Sequence, residues 1–210
     1  MPRWATGRSA SRSAGGGLER AQDPLNTAAA LGFLGYAYLE KGDLPRAIEA
    51  LEGSTQRLRQ AGMQQLLGWF SAFLAEAYLR SGRPEEARDF AHEALAVTEG
   101  VRFQYGSGIA QRALGRIAQA EGNAEAAGAW LHEALESFRS IQAPFEAGRT
   151  RLDLAQLAGS GSAAAAMELG EARRIFSELR LPAYVERAER LAAELAVAPS
   201  PERSGAPKMR

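Results

Sequence analysis

Apolar residues recur along the chain at two nested periods. The short period is helical. Leu31, Leu34, Gly35 and Tyr38 fall at i, i+3, i+4 and i+7, which is one face of a helix. "KGD" at Lys41–Asp43 then interrupts it, because glycine supplies the left-handed residue that ends a helix. Pro45 follows in the first turn of a second helix, where its missing N–H is not needed. Ala47, Leu51 and Ser54 mark the inner face of that second helix.

The long period is forty residues. At that offset leucine recurs at Leu34, Leu74, Leu114 and Leu154, each followed by a small residue (Gly35, Ala75, Gly115, Ala155). Six residues before the leucine stand Ala28, Gly68, Gly108 and Gly148. The turn glycine recurs as Gly42, Gly82 and Gly122, and the first inner alanine of the second helix as Ala47, Ala87 and Ala127. "RSGRPEEA" uses Pro84 as the first copy uses Pro45, and "AEGNAEAA" uses Asn123 as a helix cap. Glycine within a helix costs about 1 kcal/mol against alanine, so Gly35, Gly115 and the Gly68 set predict helix backbones in close approach.

The fourth copy keeps Leu154 and Ala155, but its turn reads about two residues shorter, so Ala165, Leu169 and Ala172 align with Ala127, Leu131 and Ala134. A last segment from Pro182 places Val185, Ala188, Ala192 and Leu195 on one face, as expected of a helix that caps an open stack. The pattern predicts an all-α solenoid of four antiparallel helix hairpins plus a C-terminal capping helix. Its repeats span about 24–62, 63–101, 102–142 and 143–180, with the cap over 181–196. Residues 1–23 and 197–210 lack periodicity and read as unstructured. The leader "MPRWATGRSASRSAGGG" fits a flexible tail or a start codon placed too far upstream. Its arginines and serines without acids also fit an organelle transit peptide.

Charge narrows the partners. Twenty-five basic residues balance twenty-five acidic ones, which argues against direct nucleic-acid binding. There is no cysteine, which excludes disulfides and thiolate zinc sites and suits the reducing cytoplasm. The longest uncharged run, Asn26–Leu39, is shorter than the roughly 20 residues a bilayer requires, so no membrane association is expected.

The candidate chemistry is sparse. The only histidines, His92 and His132, sit in two copies of "HEAL", each two residues before an inner alanine and therefore on the outer side of a second helix. Neighbouring helices pack about 8–10 Å apart. Two equivalent histidines two helices apart cannot share a metal whose bonds are about 2 Å. The glycines of "YGSGIAQ" and "GSGS" follow no strand and form no phosphate loop. No catalytic residue, metal site or cofactor is expected.

The run small–x–x–Tyr–x–x–x–Gly–Asp–x–x–x–Ala–Ile–x–x–Leu over Gly35–Leu51 resembles a tetratricopeptide repeat. "AEAYLRSGRPEEARDFAHEAL" and "GRIAQAEGNAEAAGAWLHEAL" fit the same motif. The family repeat is about 34 residues, so forty implies longer helices, and Ala118 stands where the third copy would carry tyrosine. The resemblance implies a right-handed α-solenoid whose first helices line a concave groove that binds proteins. By that geometry the groove would hold Tyr36 and Glu40, then Trp69, Glu76 and Arg80. Arg112, Arg116 and Gln119 would follow, then Arg149, Leu152 and Gln156. An aromatic end beside an arginine band would suit an acidic or carboxylate-bearing extended peptide. The chaperone-type carboxylate clamp is not matched, since Gly32, Tyr36, Phe73, Ile109 and Ala113 occupy its places. "EAGRTRLDLAQLA" is similar to the C-terminal arms of bacterial signalling ATPases, LuxR-type regulators and adenylyl cyclases. The alternative function is therefore a sensor segment of such a regulator.

Overall fold

The structure, a computed structural model, describes residues 24–197. The leader expected over 1–23 and the tail beyond 197 lie outside them. Among the described residues, nine α-helices follow one another with no strand: α1 Pro24–Lys41, α2 Leu44–Gln60, α3 Gln64–Arg80, α4 Pro84–Gly100, α5 Gln104–Ala120, α6 Ala124–Ser140, α7 Pro144–Ala158, α8 Ala163–Glu178 and α9 Pro182–Val197. Consecutive helices pair as hairpins, α1 with α2, α3 with α4, α5 with α6 and α7 with α8, and α9 packs on α8. The architecture is an all-α repeat solenoid. It divides after Arg102 into two compact units, the first holding α1–α4 and the second α5–α9.

The turns follow from backbone sterics. At the end of α3, Gly82 takes φ 80°, its N–H bonds to the Leu79 carbonyl at 3.1 Å, and the next N–H, of Arg83, bonds back to Tyr78 at 2.9 Å. These two bonds satisfy carbonyls that the helix end leaves without partners. Gly122 closes α5 in the same way. Asn123 then caps α6, its side chain accepting the Ala126 N–H at 3.0 Å.

Packing within each hairpin depends on a contact between a small residue and a large one. A Cβ on Gly108 would lie 2.7 Å from Cε1 of Phe138, and one on Gly148 would lie 2.8 Å from Cε1 of Phe176. The counterpart Gly68 faces Thr98. Two turns further along the first helix, Gly35 faces Leu51 at 2.6 Å and Gly115 faces Leu131 at 2.7 Å. Burying a side chain such as Phe138 stabilises by about 1.5–3 kcal/mol, which outweighs the roughly 1 kcal/mol that a helical glycine costs.

Three expectations shift. The shortening of the fourth copy lies in the helix and not in the turn: α7 has 15 residues where α5 has 17. Gly159, at φ 77°, stops α7 early, and Ser162 caps α8 by accepting the Ala164 N–H. In α9, Ala188 and Leu191 are the buried residues, with Val185 and Leu195 partly buried against the same cluster. Ala192 is exposed and lines an open groove between α8 and α9. Leu34 keeps the register of Leu74, Leu114 and Leu154, which are all buried, but is itself 45% exposed. No described residue covers its side of α1.

Gly115→Leu is expected to destabilise the chain by about 1–3 kcal/mol through overpacking against Leu131. Gly170→Ala in α8, where a Cβ meets open space, is expected to stabilise by about 0.5–1 kcal/mol. Urea denaturation of both variants checks the pair, and an unchanged midpoint for Gly115→Leu would contradict the close-approach packing.

Candidate functional site

In the first unit, α1 and α3 bring five aromatic rings together. Gly32 leaves room for Phe70 to lie against the α1 backbone. Phe33 meets Trp69 edge-on at 5.7 Å and Phe70 at 5.2 Å, Trp69 stacks on Phe70 at 5.6 Å, and Tyr36 stacks on Phe73 at 4.4 Å. Phe70 and Phe73 form the buried floor. Tyr36 and Trp69 are half-buried, and Phe33 is 50% exposed. Of the expected groove residues, Tyr36 and Trp69 therefore share one cluster. Glu40 is exposed near the end of α1. Arg80 hooks across to the same end, donating from Nη1 to the Leu39 carbonyl at 2.8 Å, where a cation also complements the helix dipole. Glu76 is buried. Phe33 lies outside the expected set, although its forty-residue counterpart is Phe73 and that register could have revealed it.

In the second unit the expected arginine band meets acids on the neighbouring first helix. Arg112 on α5 is 1% exposed and donates from Nη1 to Oε2 of Glu146 on α7 at 2.5 Å. The other oxygen of Glu146 accepts from the Tyr105 hydroxyl at 3.2 Å and lies 3.8 Å from Arg149 Nη1. One turn along, Arg116 Nε donates to Asp153 at 2.9 Å, and Arg151 pairs with Glu168 on α8. Arg149 and Leu152 are buried, Arg116 and Gln119 are half-buried, and Gln156 is exposed. Arg112, Arg149 and Leu152 thus belong to the packed interior of α5–α7, beneath the surface at Arg116, Gln119 and Gln156.

These pairs shift titrations in opposite senses. Burial acts to raise the Glu146 pKa, but the charges of Arg112 and Arg149 and the hydrogen bonds from Arg112 and Tyr105 prevail, and the carboxyl is held below its ordinary value. In the first unit the Tyr78 hydroxyl donates to Glu52 on α2, and burial together with that acid pushes Tyr78 up to about 12. The Arg83 guanidinium stacks over the same ring at 4.3 Å.

His92 and His132 are exposed on α4 and α6, while the inner Ala94 and Ala134 are fully buried. Among the described residues no cluster of His, Asp or Glu is arranged to hold a metal ion. No described helix is long and apolar enough to cross a membrane.

Glu146→Ala strands Arg112 in the interior and is expected to cost about 3–5 kcal/mol, whereas the double replacement Arg112→Met with Glu146→Leu regains most of that loss. A carboxylate with a lowered folded pKa contributes stability above its ordinary value and loses it as pH falls through the folded value. The parent chain should therefore weaken on acidification below about pH 4.5, and the double variant should do so less steeply. Urea midpoints measured from pH 7 to pH 3 check both outcomes.

A tetratricopeptide-repeat family model matches residues 73–101, which span the second half of α3 and all of α4. Among curated proteins none matches the sequence. Solved structures share the architecture. BtubC (BKLC) from P. vanneervenii superposes with a TM-score of 0.56 at 19% identity, covering 92% of each chain. The apo form of RapI gives 0.66 at 14% identity, covering 88% of this chain and 68% of its own. A kinesin light chain-like protein of nearly identical TPR-like repeats from Podosopora anserina gives 0.50 at 16%, covering 84% and 100%. At such identities the likeness is one of fold. One hairpin matches the family directly, and its turn glycine, inner alanine and close helix contact recur in neighbouring hairpins. Residues 73–101 match the tetratricopeptide-repeat family, and the chain shares its all-α repeat fold with solved structures of TPR-like repeats.

Proposed function

We propose that the chain is a non-catalytic protein-interaction scaffold that takes a partner peptide or helix on the faces of its first helices. The observation that carries this reading is the exposed half of Phe33, held beside Tyr36 and Trp69 on α1 and α3. Rigid aromatic side chains on a buried aromatic floor offer a large contact area at low entropic cost, which is the composition of interface anchors. Glu40 and Arg80, at the C-terminal ends of the same helices, would select the polar neighbours of the partner's apolar anchor.

In the second unit the surface residues Arg116, Gln119 and Gln156 extend the proposal, with Arg112, Arg149 and Leu152 supporting their helices from within, as the buried Glu76 does on α3 of the first unit. Because Arg112 and Arg116 already engage Glu146 and Asp153, an acidic partner would have to compete with internal carboxylates. An apolar anchor is the stronger element of recognition. The absence of cysteine fits a cytoplasmic setting.

Selection of a displayed peptide library on the full chain tests the reading. Binders should carry an aromatic or large aliphatic residue and lose at least about tenfold in affinity to Phe33→Ser, the loss expected for an interface anchor. The melting temperature should hold, because Phe33 is half exposed. Binders indifferent to Phe33→Ser and Tyr36→Ser would contradict it.

A further inference from the structure

The uncovered side of α1 has an internal template. At an offset of forty residues, Leu31, Leu34 and Tyr38 correspond to Ser71, Leu74 and Tyr78 on α3. Along α3 the second helix of the preceding hairpin, α2, lies packed, and Ser71, Leu74 and Tyr78 are all buried. Tyr78 completes that interface by donating its hydroxyl to Glu52 of α2. On α1 the same positions are open. Leu31 and Tyr38 are half-buried, Leu34 is largely exposed, and with Ala50 and Gly53 of α2 they line a groove of about 480 Å³. Arg46, Glu49 and Arg57 also line it, so the lining carries one positive charge in excess. Arg46 lies over the Tyr38 ring at 5.8 Å, as Arg83 lies over Tyr78.

We propose that this face of the first hairpin is a docking site for an amphipathic α-helix of another protein that carries a carboxylate opposite Tyr38. It would seat on α1 and α2 as α2 seats on α3. The template supplies the geometry and the lining supplies the charge preference. The second helices of another copy of the chain do not provide such a helix. Its α2 is already engaged against α3, and the counterparts of Glu52 in α4, α6 and α8 are His92, His132 and Gly170. Seating a helix there would cover Leu34 and give the Tyr38 hydroxyl the acceptor that Glu52 gives Tyr78.

The test uses the full chain and a hydrocarbon-stapled, fluorescent peptide with the sequence of Leu44–Gln60, the helix that occupies the equivalent site on α3. Fluorescence anisotropy should report saturable binding that Leu34→Asp abolishes. The melting temperature of that variant should match the parent, because the side chain is already exposed. Tyr38→Phe should weaken binding by about tenfold to a hundredfold, the range for losing one hydrogen bond to a charged group. A peptide carrying Glu52→Gln should weaken it similarly, and the two changes together should add little. Phe33→Ser should leave this affinity unchanged, which separates the site from the aromatic face on α1 and α3. Absence of binding, or binding indifferent to Leu34→Asp, would overturn the proposal. So would concentration-dependent self-association of the chain that Leu34→Asp removes, since a second copy would then be the occupant.

Discussion

The structure depends on the distance at which the two helices of a hairpin can approach. Where a first helix presents glycine at four such contacts, the second helix presents a bulky side chain: Phe138 against Gly108, Phe176 against Gly148, Leu131 against Gly115 and Leu51 against Gly35. A Cβ at any of these glycines would overlap its partner, so the contact fixes both the spacing and the register of the hairpin. The spacing of partners records this. Gly108 meets the residue thirty positions later, whereas Gly148 meets one twenty-eight positions later, because α7 is two residues shorter than α5. The chain loses two residues without losing the contact.

A second constraint acts between neighbouring hairpins. In the second unit it is ionic, with Glu146 and Asp153 of α7 meeting Arg112 and Arg116 of α5. In the first unit it is aromatic, with Phe33 and Tyr36 of α1 meeting Phe70, Trp69 and Phe73 of α3. Desolvated ion pairs contribute little net stability but tolerate few alternative partners. Aromatic contacts contribute through buried area and leave an apolar edge in water. The same position in the repeat therefore yields a charge-matched contact in one unit and an aromatic contact with a half-exposed edge in the other.

The hairpins were legible in the sequence because their determinants are local. Turn glycines, first-turn prolines and inner alanines recur at one period, and each acts within a few residues of its own position. What the repeat hides is pairing at other separations. Glu146 lies 34 residues after Arg112 and Asp153 lies 37 after Arg116, so neither acid appears when the chain is set against itself at forty. Those arginines read as an open band for that reason. Leu34 shows the complementary limit. Periodicity identifies the face to which a residue belongs, but whether that face is covered depends on what packs beside it. Phe33 is a second case: it shares the register of Phe73, yet Phe73 is core and Phe33 is half exposed.

The close-approach account is tested most directly by a double-mutant cycle between Gly108 and Phe138. Gly108→Ala adds the methyl group that collides with Cε1 and Cζ of the ring, and Phe138→Leu removes those atoms. The account predicts that each change alone destabilises the chain and that the double variant recovers about 1 kcal/mol or more of the summed loss, a coupling expected of residues in contact. Strictly additive losses would mean that the two side chains do not compete for one space. The hairpin spacing would then be set by something other than this contact.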